Sequence, residues 1–412
     1  MRRSCAALAA CFGVACGGEP DVAPAPRPDA GAPIADAAPD ATPADAGADV
    51  RDGDSFFAPA PRLPLMDYLG GALLTKVKVV TITFANDDPQ VVGRMNLFGD
   101  TAATTQWWKA ALSEYCVLPA GTPCIGPGDT SVHVALAQAA PASVLDANDP
   151  TKSDVAKLLQ SNIDSAVLPQ PTEQTLYMLY YPAGTSIEFE GMKSCQSYGA
   201  YHYSVELVPK GGGAHVEAAY AIMPRCSGEP FLTVAASHEL MEAATDAHPS
   251  KDRGWVMQDN AFPLLGGEDG DLCDHPWGSV FDTTTEATFA LQRGWSNAAA
   301  RAGHDPCVPE QATPWFMAGP SNQEIALAVG ESAKLEVWGF ADAPLADWAL
   351  SVEDRSGGAL ALALDKQTIG TGGRATLTLT LKSKPKGGVA FYGVDSKVDT
   401  REMRWGASVR AK

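Results

Sequence analysis

The spacing of hydrophobic and polar positions changes along the chain, and each spacing predicts a different kind of structure. In the first large part, runs of β-branched and aromatic residues predict strands at residues 76–84, 132–136, 175–181 and 218–223. Apolar residues that recur at helical spacing predict helices at residues 101–115, 155–163 and 231–247. Strands that alternate with helices in this way indicate an α/β or α+β domain, which we place at residues 63–312.

Beyond residue 312 the pattern becomes an alternation of apolar and polar residues, interrupted by glycine-rich turns. This alternation predicts strands at residues 324–329, 333–338, 375–381 and 389–392. Short alternating strands without intervening helical segments are typical of a small all-β sandwich. We therefore expect a β-sandwich module over residues 313–412.

The first 62 residues follow neither pattern. Residues 1–16 combine a basic start with a short apolar run, which is typical of an export signal and too short for a transmembrane helix. Cys11 and Cys16 each follow small residues, as in a bacterial lipobox, and the length of the apolar run favours Cys16 as the acylated residue. Residues 17–62 are rich in Ala, Pro and Asp, and this composition predicts a disordered tether.

These segments predict an exported protein, held at the cell envelope as an outer-membrane lipoprotein by a lipid anchor or released outside the cell. The formal net charge is -19, with 30 Lys and Arg against 49 Asp and Glu. Nucleic acid is therefore not an expected partner, because binding a phosphate backbone requires clustered basic residues. Hydrophobic residues make up 45% of the chain, which is enough for a full core.

Six cysteines lie beyond the export signal, and an even number in an exported chain indicates disulfides. No CxxC spacing is present, so a zinc site built from cysteines is not expected. Pairing each cysteine with its neighbour in sequence is one of several connectivities. It gives Cys116–Cys124, Cys195–Cys226 and Cys273–Cys307.

The predicted helix at 231–247 contains the letters HELME at residues 238–242. His238 and Glu242 are four residues apart and so lie on one face of the helix. Zinc accepts imidazole and carboxylate ligands, and Glu239 could take a proton from water that the ion activates. In an HExxH helix the second ligand is histidine. Glu242 replaces it here and adds negative charge, so the pattern indicates metal binding more strongly than hydrolysis.

An acidic segment downstream, with the letters GEDGDLC at residues 267–273, can supply a third ligand. We expect Glu268 or Asp271 to bind the ion, and the other carboxylate to orient a ligand without binding the ion itself. Carboxylates and carbonyl oxygens also suit calcium, which is the alternative ion for this segment.

Two residues near the end of the helix are further candidates for the third ligand. His248 follows His238 by the spacing of a third metzincin histidine, but Thr245 stands where that helix type has glycine. Asp246 is the second of these candidates. His202 and His215, in contrast, are interpreted as packing or surface residues.

The letters SHELMEAATD at residues 237–246, followed by the GE and DLC of residues 267–273, carry a family resemblance. They resemble a family of secreted bacterial proteins with an HExxE(A)xTDP helix and a GExxDxC segment, and are similar to plant EXORDIUM (phosphate-induced) proteins. The resemblance covers only about residues 230–275, and Pro249 lies three residues after Asp246, where the family has it immediately after. It implies a zincin-like, metallopeptidase-like domain with a metal site and leaves the substrate open.

Motif and export signal together predict an exported zinc-dependent hydrolase, with a peptide as the first substrate to test. In this hypothesis His238, Glu242 and either Glu268 or Asp271 bind the ion, and Glu239 is the general base. The alternative is a non-catalytic surface lipoprotein, in which the metal site is structural or vestigial and the β-module binds envelope polymer or a partner. A third hypothesis is an interaction module without metal.

Overall fold

A computed structural model of the chain describes residues 63–258, 267–273, 283–286, 289–399 and 401–412. The export signal and tether predicted for residues 1–62 lie outside the described residues. Up to residue 308 the described strands are β1 (Asp67–Tyr68), β2 (Lys78–Phe84), β3 (Val132–Leu136), β4 (Ser143–Asp146), β5 (Thr175–Tyr181), β6 (Ser186–Phe189), β7 (Met192–Lys193), β8 (Tyr201–Leu207), β9 (Val216–Pro224), β10 (Trp255–Val256), β11 (Thr283–Glu286), β12 (Phe289–Gln292), β13 (Gly294–Trp295) and β14 (Cys307–Val308). The described α-helices are α1 (Pro89–Thr101), α2 (Gln106–Leu112), α3 (Asp154–Asp164), α4 (Glu229–Thr245) and α5 (Asn297–Ala302).

The five-stranded sheet of this part has the strand order β3-β2-β5-β9-β8. The first four strands run parallel, and β8 runs antiparallel to β9. Parallel strands need cover on both faces, and β5 is accordingly buried at every position. Val80 of β2 packs with Leu159 of α3 on one face of the sheet, whereas its neighbour Val79 belongs to the cluster that contains Leu240 of α4. The sheet therefore has helices on both sides.

Helix α4 is buried on every side along most of its length. It begins after Gly228, has Pro230 in its first turn, and contains buried residues on all faces from Leu232 to Thr245. Proline suits a helix start because the first backbone N–H groups have no partner inside the helix. A helix of this kind lies in the interior of the domain, so the charged residues within it must find partners there.

The structure divides the helix predicted at residues 101–115. Helix α1, which the sequence did not predict, ends at Thr101, and a 3-10 turn at Ala102–Thr104 follows it. Helix α2 then begins at Gln106, because the Thr105 side chain accepts a hydrogen bond from the backbone N–H of Trp108 at 3.2 Å. A cap in the middle of the predicted range therefore starts a new helix.

The C-terminal part is built from two β-sheets. Its strands are β15 (Phe316–Pro320), β16 (Glu324–Leu327), β17 (Ser332–Ala341), β18 (Trp348–Asp354), β19 (Leu360–Leu364), β20 (Thr368–Ile369), β21 (Arg374–Leu381), β22 (Val389–Val398) and β23 (Arg401–Ala411). The orders are β15-β17-β21-β19 and β16-β23-β22-β18-β20. Between the sheets, Trp405 of β23 contacts Phe340 of β17 and lies where a side chain at Gly319 would stand. The predicted β-rich, sandwich-like portion is confirmed.

Three disulfides have the pairing predicted from sequence neighbours, Cys116–Cys124, Cys195–Cys226 and Cys273–Cys307. Disulfides persist in oxidising compartments, so they indicate an exported environment. The Cys273–Cys307 bond joins the acidic segment to β14. Among the helices in the described ranges, none has the length and apolarity needed to cross a membrane.

Candidate metal centre

Helix α4 places its three ionisable motif residues inside the protein. His238, Glu239 and Glu242 are 4%, 3% and 3% exposed, so almost no solvent reaches their side chains. His238 and Glu242 lie on one face, as their spacing predicts, with 3.0 Å between His238 Nε2 and Glu242 Oε1. Burying such groups costs free energy unless they are paired with opposite charge or bind a metal.

The acidic segment lies directly against this face of α4. Asp271 Oδ1 is 3.8 Å from His238 Nε2, and the Asp271 backbone N–H donates a hydrogen bond to Glu242 Oε1 at 3.0 Å. A side chain at Gly270 would place its Cβ 2.9 Å from both Glu242 Oε1 and His238 Nδ1. Glycine is therefore required here, because the segment's backbone packs against the two side chains.

Strand β8 contributes a second histidine that the sequence analysis interpreted as a packing or surface residue. His202 is 6% exposed, and its Nδ1 lies 3.4 Å from Glu239 Oε2 and 3.5 Å from Glu242 Oε2. Neither the motif nor its spacing indicates this contact, because His202 stands 37 residues before Glu239. No strand was predicted at residues 201–207, so the sequence carried no signal that His202 faces α4.

The hydrogen bonds around His238 determine which of its ring nitrogens faces the carboxylates. The Gln292 side-chain amide donates to the Gly270 carbonyl at 2.6 Å, so the other atom of that amide, Oε1, faces His238 Nδ1 at 3.0 Å. Since Oε1 can only accept, His238 Nδ1 is the donor. Its Nε2 makes no hydrogen bond within the described residues. This is the arrangement of a metal-binding histidine, whose other nitrogen donates to a fixed acceptor.

His202 is oriented in the same way by a different group. Its Nε2 lies 3.1 Å from the backbone carbonyl oxygen of Asp246, which can only accept. His202 Nε2 is therefore the donor, and Nδ1 is the nitrogen that faces Glu239 and Glu242. Both histidines thus have one nitrogen anchored and the other directed at the carboxylates of α4.

The remaining candidate residues lie outside these contacts. The Asp246 carboxylate accepts a hydrogen bond from the Gly254 backbone N–H at 2.8 Å and pairs with Arg253 at 3.2 Å. His248 Nδ1 lies 3.0 Å from Asp252 Oδ1, and His248 belongs to neither of the potential ligand groups found among the described residues. Glu268 Oε1 is 3.5 Å from Arg253 Nη2, and Glu268 belongs to neither of the potential ligand groups found among the described residues. Of the two predicted alternatives, Asp271 is thus the one beside His238.

The charges of these groups depend strongly on one another. Burial lowers the pKa of His238, but the carboxylates of Glu242 and Glu239 outweigh this effect and raise it well above 6.5. Burial likewise lowers the pKa of His202, and the negative charge of Glu268, with the hydrogen bonds to Glu239 and Glu242, raises it well above 6.5. Without a metal ion, both histidines are therefore positively charged at neutral pH, with a proton on each ring nitrogen.

The buried carboxyl groups differ in the direction of their pKa shifts. Burial raises the pKa of Glu242, but the two histidines outweigh it and lower that pKa to about 2. Burial raises the pKa of Glu239 and, well above its usual range, that of Glu268. It also raises the pKa of Asp269 to about 7. Glu242 is therefore the permanent anion at the middle of the cluster.

The donor atoms fit a zinc-type ion. Two sets of three residues each place one ligand atom per residue within 4.8 Å of the others: His238, Glu242, Asp271 and His202, Glu239, Glu242. Ligands of a tetrahedral zinc ion are roughly 3.3 Å apart, given bonds of about 2.0–2.1 Å. The separations of 3.0 and 3.8 Å around His238 lie on either side of this value. Calcium prefers six to eight oxygen ligands, so imidazole nitrogens favour a transition metal or zinc.

No protein-family model and no curated protein matches the chain. Solved structures similar to part of it include the titin M3 domain, with 14% identity, a TM-score of 0.17, and coverage of 24% of this chain and 96% of that one. Another is the complex of titin M10 with the obscurin-like 1 Ig domain, with 17% identity, a TM-score of 0.17, and coverage of 24% and 93%.

Proposed function

We propose that the protein is an exported zinc-dependent hydrolase whose ion is bound by His238, Glu242 and Asp271. One observation carries the proposal: His238 Nε2 is buried, makes no hydrogen bond within the described residues, and faces Glu242 and Asp271 at 3.0 and 3.8 Å. Because Nδ1 donates to Gln292, Nε2 is the nitrogen that would bind the ion once its proton is displaced.

Different residues have different roles in the proposed hydrolysis. When bound, zinc supplies Lewis-acid chemistry and lowers the pKa of water at the site towards about 7. Glu239 would be the group that accepts a proton from water at the site, and burial favours this role because it raises the pKa of the carboxyl. His202, 3.4 Å from Glu239 Oε2, orients the carboxylate.

The proposal also includes a zincin-like domain and a peptide substrate. The motif helix packs against a mixed sheet, and β8, which carries His202, is the last strand of that sheet within the described ranges. An edge strand can pair with an extended peptide through backbone hydrogen bonds. The proposed location is the cell envelope, with an export signal at residues 1–16 and a lipid anchor at Cys16.

The test combines metal content with hydrolysis. Protein purified without an affinity tag is analysed for bound zinc and assayed on a mixture of peptides, as wild type, His238→Ala and Glu239→Gln. We expect His238→Ala to lose the ion at this position. Glu239→Gln should retain an ion at His238 while turnover falls about 10²–10⁴-fold, the usual effect of removing a general base. His248→Ala is the control, since that histidine is buried nearby but paired with Asp252.

Two outcomes contradict this proposal. Wild-type protein without zinc removes the metal site, and unchanged hydrolysis in Glu239→Gln removes the assigned base.

The burial of the cluster favours a second candidate function, a structural metal site. His202, Glu239 and Glu242 are each at most 6% exposed, and with Asp271 they connect β8, α4 and the acidic segment. In that case chelation lowers the melting temperature, and neither wild type nor Glu239→Gln hydrolyses any peptide of the mixture.

A further inference from the structure

The two oxygens of Glu242 face different histidines. Oε1 is 3.0 Å from His238 Nε2, whereas Oε2 is 3.5 Å from His202 Nδ1. The ion proposed above uses only the first of these oxygens. On the second side, His202 Nδ1 is also 3.4 Å from Glu239 Oε2, so a further set of three ligand atoms exists there.

The two sides of Glu242 have the same composition. Each contains one imidazole nitrogen, one carboxylate of its own and one oxygen of the shared carboxylate. On each side the far nitrogen of the ring is anchored, by Gln292 for His238 and by the Asp246 carbonyl for His202. A carboxylate that presents one oxygen to each side can bridge two ions, which lie about 3.5–4 Å apart in two-metal sites.

The cluster contains more carboxylates than one divalent ion binds. Glu239, Glu242, Glu268 and Asp271 lie together, and all four are buried or nearly so. Arg253 is shared between Asp246 and Glu268 and is itself 44% exposed on its side chain, so its charge is partly screened by solvent. Metal binding favours the ionised form of each carboxylate, and two divalent cations would balance the four negative charges that result.

We propose that the cluster binds two divalent cations bridged by Glu242, the second of them held by His202 Nδ1, Glu239 Oε2 and Glu242 Oε2. The proposal rests on the function proposed above for the first ion, at His238 and Asp271. It also adds a form of regulation, because a second ion engages the carboxylate assigned as the proton acceptor. Turnover is then highest with one ion bound and falls as the second position fills.

Counting bound ions tests the second position. Full-length mature protein without a tag is stripped with a chelator, equilibrated with zinc by dialysis, and analysed for metal per chain. We expect two ions in wild type, one in His202→Ala and one in His238→Ala. The matched control, His248→Ala, also removes a buried histidine but should retain two, because its ring pairs with Asp252 outside the cluster.

The other outcomes separate this inference from the proposed function. One ion in wild type that His238→Ala removes and His202→Ala leaves overturns the second position and keeps the hydrolase site. One ion that both substitutions remove means a single ion shared between the histidines, which also overturns the inference. No bound ion in wild type overturns both proposals.

A second measurement examines the bridge itself. In protein loaded with Mn²⁺, two ions about 3.5–4 Å apart are spin-coupled. We expect wild type to show a coupled electron paramagnetic resonance spectrum and Glu239→Gln, which has nearly the same shape, to show that of an isolated ion. Near-UV circular dichroism verifies that each variant is folded. An isolated-ion spectrum in wild type at full occupancy contradicts the bridge.

Discussion

Both large parts of this protein bury apolar side chains, but the first part also buries a cluster of ionisable side chains on one helix. In the C-terminal sandwich, Leu377, Leu379 and Leu381 of β21 point inward at every second position and are fully buried. In the first part, helix α4 buries His238, Glu239 and Glu242 to nearly the same degree. Burial of leucine stabilises a fold by itself, whereas burial of charge requires a partner ion or a proton. The stability of one part should therefore depend on metal, and that of the other should not.

Removal of metal should have the largest effect and should be confined to the first part. A ligand present at about 1,000 times its dissociation constant stabilises the folded state by about 4 kcal/mol. On chelation we expect amide hydrogen exchange to accelerate in α4 and residues 267–273 and to stay unchanged in β21 and β22. Equal acceleration in both parts would contradict the comparison.

Leu379→Ala should produce the reverse pattern. Replacing a buried leucine by alanine costs about 3 kcal/mol, because apolar surface is lost and a cavity remains. The loss, measured by denaturant unfolding, should be the same with and without zinc, and zinc content should not change. Thr378→Ala, on the half-buried face of the same strand, is the control and should cost far less. A Leu379→Ala effect that depends on zinc would mean that the two parts are energetically linked.

Gln292→Met should weaken metal binding without removing a ligand. The substitution keeps the length of the side chain but removes the acceptor for His238 Nδ1 and the donor to the Gly270 carbonyl. Loss of such a supporting hydrogen bond costs about 10–100-fold in metal affinity. Competition with a zinc indicator measures the change. The control is Gln323→Met in the sandwich, where Gln323 likewise donates to a backbone carbonyl, that of Gly406 at 2.7 Å, and accepts from the Trp405 ring at 2.6 Å. Unaltered affinity would show that Gln292 does not orient the histidine.

The smallest effect is the pH dependence of zinc binding. The raised pKa values of His238 and His202 mean that the metal-free site holds protons that zinc must displace. Affinity should fall about tenfold per displaced proton for each unit by which the pH is lowered through neutrality. Calorimetry in buffers with different protonation enthalpies counts the released protons, and His238→Ala should release fewer.

The stability of metal-free protein should change with pH in the direction opposite to zinc affinity: it should fall as the pH rises. A histidine with a raised pKa in the folded state stabilises the fold below its unfolded pKa, and this stabilisation is lost as the pH rises through the folded pKa. Zinc-free protein should thus lose stability towards higher pH, while zinc-loaded protein gains it. Parallel curves with and without zinc would place the proton binding elsewhere.

Local patterns along the chain predicted much of this arrangement. A period of two identified the sandwich strands, such as residues 375–381, which the structure places at Arg374–Leu381. Helical spacing placed His238 and Glu242 on one face, and the pairing of neighbouring cysteines was confirmed. The helix and strand patterns depend on residues close in sequence, where backbone geometry alone determines which side chains share a face. The Cys195–Cys226 and Cys273–Cys307 disulfides span 31 and 34 residues, so the cysteine count suggested their pairing but backbone geometry did not determine it.

Only the tertiary structure decided which distant groups join the motif. His202 lies 37 residues before Glu239, and Gln292 lies 54 residues after His238. The choice between Asp271 and Glu268 depends on how the 267–273 backbone packs against α4 at Gly270. No periodicity encodes such contacts, because they follow from strand order and loop paths that bring separate segments together. The sequence by itself determined the ligands on one helix, and the packing of β8, β12 and the acidic segment around that helix decided the rest of the site.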